Sequence, residues 1–225
     1  MEIIKKTLTP LLTDLEKNNL PQQASGSENE LAFEDVAKRW CIGGRFIVDQ
    51  HNIEAVNQLF FYINRSKEFE GNLRKGICLV GDIGVGKTIM MKTLNAGYAA
   101  NDDRRFRVIN TSSIASYYRM KGDETLLPLK DSQHEIGNRH WVRNNICLDD
   151  IGREPLDVQW MGNHENVGAW LIFNRYELWQ NMGVVTHFTT NITSPDEFIE
   201  KYGKVNYSRM KEMCNFINVG GGDRR

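Results

Sequence analysis

"ICLVGDIGVGKTIMMKTL", residues 77–94, holds the pattern that decides the fold. Four apolar residues run into a glycine-rich turn, and helix-forming residues follow. The turn, "GDIGVGKT" at 81–88, matches G-x-x-x-x-G-K-[ST] and stands between a predicted strand and a predicted helix, as that motif requires. Gly81, Asp82, Ile83, Gly84, Val85, Gly86, Lys87 and Thr88 form the expected nucleotide-binding loop. Its glycines let the backbone turn tightly and expose N–H groups, which cradle phosphate oxygens together with the helix N-terminus behind them. Lys87 adds a point charge for the β- and γ-phosphates, and Thr88 offers a hydroxyl to Mg²⁺.

Outward from this loop, short apolar runs alternate with helical segments. The runs are "ICLV" at 77–80, "FRVI" at 106–109, "ICL" at 146–148, "VVTHF" at 184–188 and "FINV" at 216–219. Val167, Trp170, Leu171, Asn174 and Leu178 mark one face of a helix between the third and fourth runs. Such alternation predicts an α/β fold with a parallel sheet covered on both faces. Ahead of the sheet the spacing predicts a helical segment over 1–20, a polar linker over 21–30 and a helical region over 31–75, with the nucleotide-binding core at 76–225. Ile53, Val56, Leu59, Phe60 and Ile63 recur at helical spacing inside that region.

Composition narrows the function classes. The chain has 225 residues, 25% charged and 40% apolar, and a net charge of −1. Bulk charge therefore points neither toward nor away from nucleic acid. No apolar run approaches the ~20 residues of a membrane span, and the start has no apolar signal core, so the expected compartment is the cytoplasm, with no membrane partner. None of the four cysteines forms a C-x-x-C pair, and Cys78, Cys147 and Cys214 lie in apolar runs where the thiol acts as a small hydrophobe. The five histidines show no metal-ligand spacing.

Two strand ends supply partners for the loop. "NNICLDDIG" at 144–152 carries Asp149 at the end of a predicted strand, suited to hold Mg²⁺, with Asp150 next to it to polarise an attacking water. Asp-Asp-Ile-Gly is also good turn chemistry. "VVTHFTTNIT" at 184–193 ends in Asn191, which either orients a water near the γ-phosphate or caps the next helix. "SYYRMKGDE" at 116–124 gathers Tyr117, Tyr118, Arg119 and Lys121. They read either as a platform for single-stranded DNA or as a solvated helix face with core aromatics. Arg209, in "YGKVNYSRM" at 202–210, is either a solvated charge near a helix end or a group aimed outside its own chain.

The loop, "LDDIG", "THFTTNIT", "YGKVNYSRMKEM" and the terminal "INVGGGDRR", in this order, resemble the AAA+ ATPases, and more narrowly the DnaC-type helicase loaders and their IstB-type relatives. The resemblance spans about residues 45 to 225. It implies a five-stranded sheet in the order 5-1-4-3-2, ATP and Mg²⁺ on Lys87 and Thr88, Asp149 as the Walker B aspartate and Asn191 as sensor 1. Arg209 stands where the family has an arginine finger, implying self-association with Arg209 acting in trans. The implied partners are a replicative helicase and single-stranded DNA, in DNA replication. An IstB-like helper of a transposase is one alternative, and a P-loop kinase for a small molecule is another. The chain departs from the family in three ways. Asp150 replaces the usual Glu, which implies slow hydrolysis. Lys204 replaces a common Arg. The chain stops after its last strand, which implies no helical lid and leaves Arg224 or Arg225 for the sensor 2 role.

Overall fold

The computed structural model describes residues 46–99, 102–136 and 140–223, with Asp35 and Ala37; for 134–136 and 140–142 it describes the backbone alone. The expected segment 1–20, the linker 21–30, Arg224 and Arg225 lie outside the described residues. The elements in chain order are α1 (Ile53–Ile63), β1 (Gly76–Val80), α2 (Lys87–Ala96), β2 (Arg107–Asn110), α3 (Thr111–Lys121), α4 (Asp123–Lys130), β3 (Gln133–Ile136), β4 (His140–Arg143), β5 (Ile146–Ile151), β6 (Val158–Trp160), β7 (Asn163–Glu165), α5 (Val167–Met182), β8 (Thr186–Thr190), α6 (Pro195–Tyr202), α7 (Lys204–Met213) and β9 (Cys214–Asn218).

Five strands form one sheet in the order β2-β5-β8-β1-β9, with every pairing parallel. Numbered among themselves in chain order, these five read 5-1-4-3-2, the order that the family resemblance implied. The fold is the expected α/β P-loop core. Side chains alternate across the sheet. Cys78, Val80, Ile146 and Leu148 face a core shared with α3 to α7, while Ile77, Leu79 and Cys147 face a core shared with α1 and α2. Val56, Leu59 and Ile63 of α1 belong to that second core, so the described part of the helical region packs directly on the sheet.

Local chemistry sets the element ends. Asn110 Oδ1 accepts from Ser113 N and opens α3; Asn166 Oδ1 accepts from Ala169 N and opens α5. Gly183, at φ 65, closes α5 in the left-handed conformation usual after a helix. α5 is tied to the sheet by Arg175, whose guanidinium is fully buried and donates to Thr186 Oγ1, Leu129 O and Asn144 O. Burial pulls its pKa down to about 9.

β8 departs most from the apolar strand pattern. All five of its residues, Thr186-His187-Phe188-Thr189-Thr190, are buried although four are polar. Each finds a partner, as buried polar groups must. Thr186 accepts from Arg175, His187 Nδ1 accepts from Ile77 N, Thr189 binds Asp149, and Thr190 donates to Ile151 O. The strand therefore runs to Thr190 rather than over 184–188. Two antiparallel hairpins, β3–β4 and β6–β7, interrupt the expected strand–helix alternation.

Candidate nucleotide site

The loop leaves β1 at its carboxyl end and enters α2 at Lys87. Gly84 and Gly86 have φ of 85 and 98, a region closed to most side chains. Gly81 is needed for another reason: a Cβ there would fall 2.3 Å from Val219 O, where the chain leaves β9.

Three further segments bring their ends to the same place. In the pairing of β5 with β8, Leu148 lies opposite Phe188 and Ile151 opposite Thr190, so Asp149 and Asp150 together face Thr189. This is a β-bulge. Asp150 takes φ 59, and its N–H donates to Thr189 Oγ1 at 2.8 Å. The same hydroxyl donates to Asp149 Oδ1 at 2.7 Å. Thr111, the first residue of α3, donates to the carbonyls of Asp149 and Asp150, both at 3.1 Å. The bulge is thus pinned from both sides, and Asp149 meets Thr88 Oγ1 at 2.9 and 3.1 Å. Burial pushes the Asp149 carboxyl above its usual pKa; the hydrogen bonds from Thr189 and Thr88 pull it part of the way back.

Lys87 Nζ donates to Gly81 O and Asp82 O, each at 2.8 Å, and to Asn191 Oδ1 at 2.6 Å. Asn191 does not cap the following helix: Ser194 occupies that position. The structure therefore brings Lys87, Thr88, Asp149 and Asn191 together. Asp150 adjoins them, with its carboxylate 3.3 Å from Arg153 Nη1.

The other candidates lie elsewhere. Arg209 is on α7, and its guanidinium stacks 4.1 Å from the Phe173 ring and 5.2 Å from the Tyr176 ring. Glu177 Oε1 is 3.7 Å away. No contact joins it to the nucleotide loop among the described residues. On α3, Tyr118 is only 3% exposed and belongs to the core, whereas Tyr117 is 55% exposed and Arg119 and Lys121 face solvent. The burial of Tyr118 supports the core-aromatic alternative at that position, while Tyr117, Arg119 and Lys121 stay open on the helix surface.

Sequence reasoning missed Thr189 and Thr111, the residues that hold the bulge. The signal for Thr189 was the polar run "TTN" where a buried strand should be apolar. Glu154 is a buried carboxylate that accepts from Tyr202 Oη and, at 2.9 Å, from Gly152 N, and so braces the loop after β5.

Neither a protein-family model nor a curated protein matches the sequence. Solved structures do match. The DnaC helicase loader aligns with a TM-score of 0.56 at 18% identity, over 78% of this chain and 93% of that one. The chain has the fold of the DnaC-type helicase loaders. DnaI aligns with a TM-score of 0.53 at 19% identity, over 84% of this chain and 92% of its own. A DNA replication initiation factor aligns at 0.52 and 12% identity, over 78% of this chain but 48% of its own. At such identities the likeness to the loaders carries the fold, and the site must be argued from its own geometry.

Proposed function

We propose that the chain is a MgATP-dependent AAA+ ATPase that loads a replicative helicase onto single-stranded DNA. One observation carries the catalytic part. Lys87, Thr88, Asp149 and Asn191, from three separate segments, converge through contacts of 2.6 to 3.1 Å at the carboxyl ends of adjacent strands. Open α/β sheets hold their ligands there. The loader part is supported by the shared fold.

The residues fit a divalent cation: a hydroxyl and a largely buried carboxylate meet at one spot, with a second carboxylate, Asp150, next in the chain. Thr88 and Asp149 would hold Mg²⁺, which would supply neutralisation of phosphate charge. The N–H groups of the loop bind the phosphates. Lys87, which donates to Gly81 O, Asp82 O and Asn191 Oδ1, turns to the phosphate oxygens, which accept strong charge-assisted bonds. Asn191 orients the attacking water and Asp150 takes its proton. Arg209 reaches the site of a neighbouring copy, so that assembly completes each catalytic centre.

The test uses Lys87→Ala. Its affinity for ATP falls by about tenfold or more and phosphate release is lost. Full turnover in that variant rejects the nucleotide site. The same variant, used as bait, retains a hexameric helicase; retention of a transposase instead selects the helper role.

A further inference from the structure

At the opposite end of the sheet lies a cleft of about 870 Å³. It is walled by residues that precede β1, β2, β5 and β8, among them Arg74, Arg104, Asn145 and Val185, together with the last turn of α5. Strands of five residues separate it from the nucleotide loop by roughly 15 Å. It is therefore a second site, built on the same strands.

Its charge is unlike that of the whole chain. The overall charge is −1, yet four arginines (Arg65, Arg74, Arg104 and Arg143) line the cleft against two acids, Asp103 and Glu212. Arg104 is neutralised by Asp102 at 2.6 Å, and Glu212 is occupied by Tyr176 Oη at 2.6 Å. Arg65, Arg74 and Arg143 have no carboxylate partner among the described residues. Arg143 spends one N–H on Gly183 O and keeps the rest of its fork.

Arg65 adds a second kind of observation. It sits just past α1, where Ser66 N bonds Phe61 O and Arg65 N bonds Tyr62 O, the paired closure that usually has glycine at its turning residue. Arg65 makes that turn at φ 51. A side chain is strained there where glycine is not. The strained arginine delivers a guanidinium to the rim.

The floor has open donors. His187, 1% exposed, lines the cleft; its Nδ1 accepts from Ile77 N, so Nε2 carries the proton, and Nε2 has no partner among the described residues. Tyr176 and Trp179, half-buried at the end of α5, supply ring surface, while Tyr62 and Tyr98 are buried beneath. Unpaired guanidinium forks match phosphate, and rings beside them match a base. We infer that this cleft binds a nucleoside phosphate, free or within a single strand, with phosphate on Arg65, Arg74 and Arg143 and the base against the aromatic wall. The inference does not rest on the ATPase reading.

The test uses the full chain, a fluorescent oligodeoxythymidylate and thymidine monophosphate. Arg65→Gly/Arg74→Gln weakens oligonucleotide binding by about tenfold and lowers its dependence on salt. ATP binding, measured alongside, stays at the parent level, so failure at either site is seen separately. Arg65→Gly alone melts at or above the parent temperature while binding less, a combination that a purely structural arginine does not give. Loss of monophosphate binding as well identifies a single nucleotide unit as the ligand; loss for the oligonucleotide alone identifies the strand. Unchanged binding in the double variant, or equal competition by polyglutamate, overturns the assignment.

Discussion

Thr189 holds two acids at once: its hydroxyl donates to Asp149 and accepts from the backbone of Asp150. Partners that orient a metal ligand usually matter by about 10–100-fold. Thr189→Val should therefore lower hydrolysis within that range, and Thr189→Ser should restore it, as steady-state phosphate release will report. The neighbouring His187 gives a pH signature. Its ring is buried and burial lowers its pKa to about 3. The unfolded chain, with histidine near 6.5, then binds a proton that the folded chain refuses between these values. Stability is full above the unfolded pKa and falls as the pH drops toward the folded one. The expected loss between pH 7 and pH 5 is roughly 2 kcal/mol. Urea titrations at both values should show it, and His187→Asn, which keeps an acceptor for Ile77 N, should flatten it. At this scale the sequence made the loop legible because its chemistry is local. The partners of Asp149 were hidden because they lie far along the chain and meet it only across paired strands.

Adjacent residues on a helix point about 100° apart, and α3 turns that into a sharp contrast. Tyr118 is in the core and Tyr117 is in solvent. Tyr118→Ala should cost about 3–5 kcal/mol, as aromatic deletions in cores do. Tyr117→Ala should stay within about 0.5 kcal/mol. Chemical denaturation of both variants checks the pair, and equal losses would contradict the orientation of α3. The element scale also explains the readability of the sheet. The runs of β1 and β5 are obvious because those strands are buried on both faces. β8 was placed two residues early because its threonines are buried through hydrogen bonds that no periodicity reveals. The β6–β7 hairpin was missed because its two-residue turn is Met161-Gly162. Met161 adopts φ 48 there, a position where Asn or Asp would have been the usual signal.

In the whole molecule, Arg209 and the nucleotide loop do not meet within one chain. Its guanidinium rests on Phe173, which is 46% exposed, so it lies on an outer surface of α5 and α7. If it serves a neighbour, Arg209→Ala binds ATP normally and loses hydrolysis, by about 10³–10⁵ where such arginines are best measured. Mixing Arg209→Ala with Lys87→Ala then restores part of the activity, since some interfaces join a sound site to a sound arginine. No recovery in proven mixed assemblies would confine Arg209 to packing. The sequence motif located this residue; only the fold shows which side of the molecule it occupies.

The segment after β9 returns to the nucleotide loop. A Cβ at Gly84 would fall 2.0 Å from Asp223 Oδ1, so this acid leans on the loop that is shaped for phosphate. Two negative groups do not share such ground. If the loop takes a triphosphate as proposed, its arrival is felt at Asp223, and occupancy becomes something that can be watched. Among the described residues Cys78, Cys147 and Cys214 are buried and shielded from labelling, and Cys41, outside them, is first replaced by serine. A dye on Asp223→Cys would act as an optical gauge, its brightness following each nucleotide in and out.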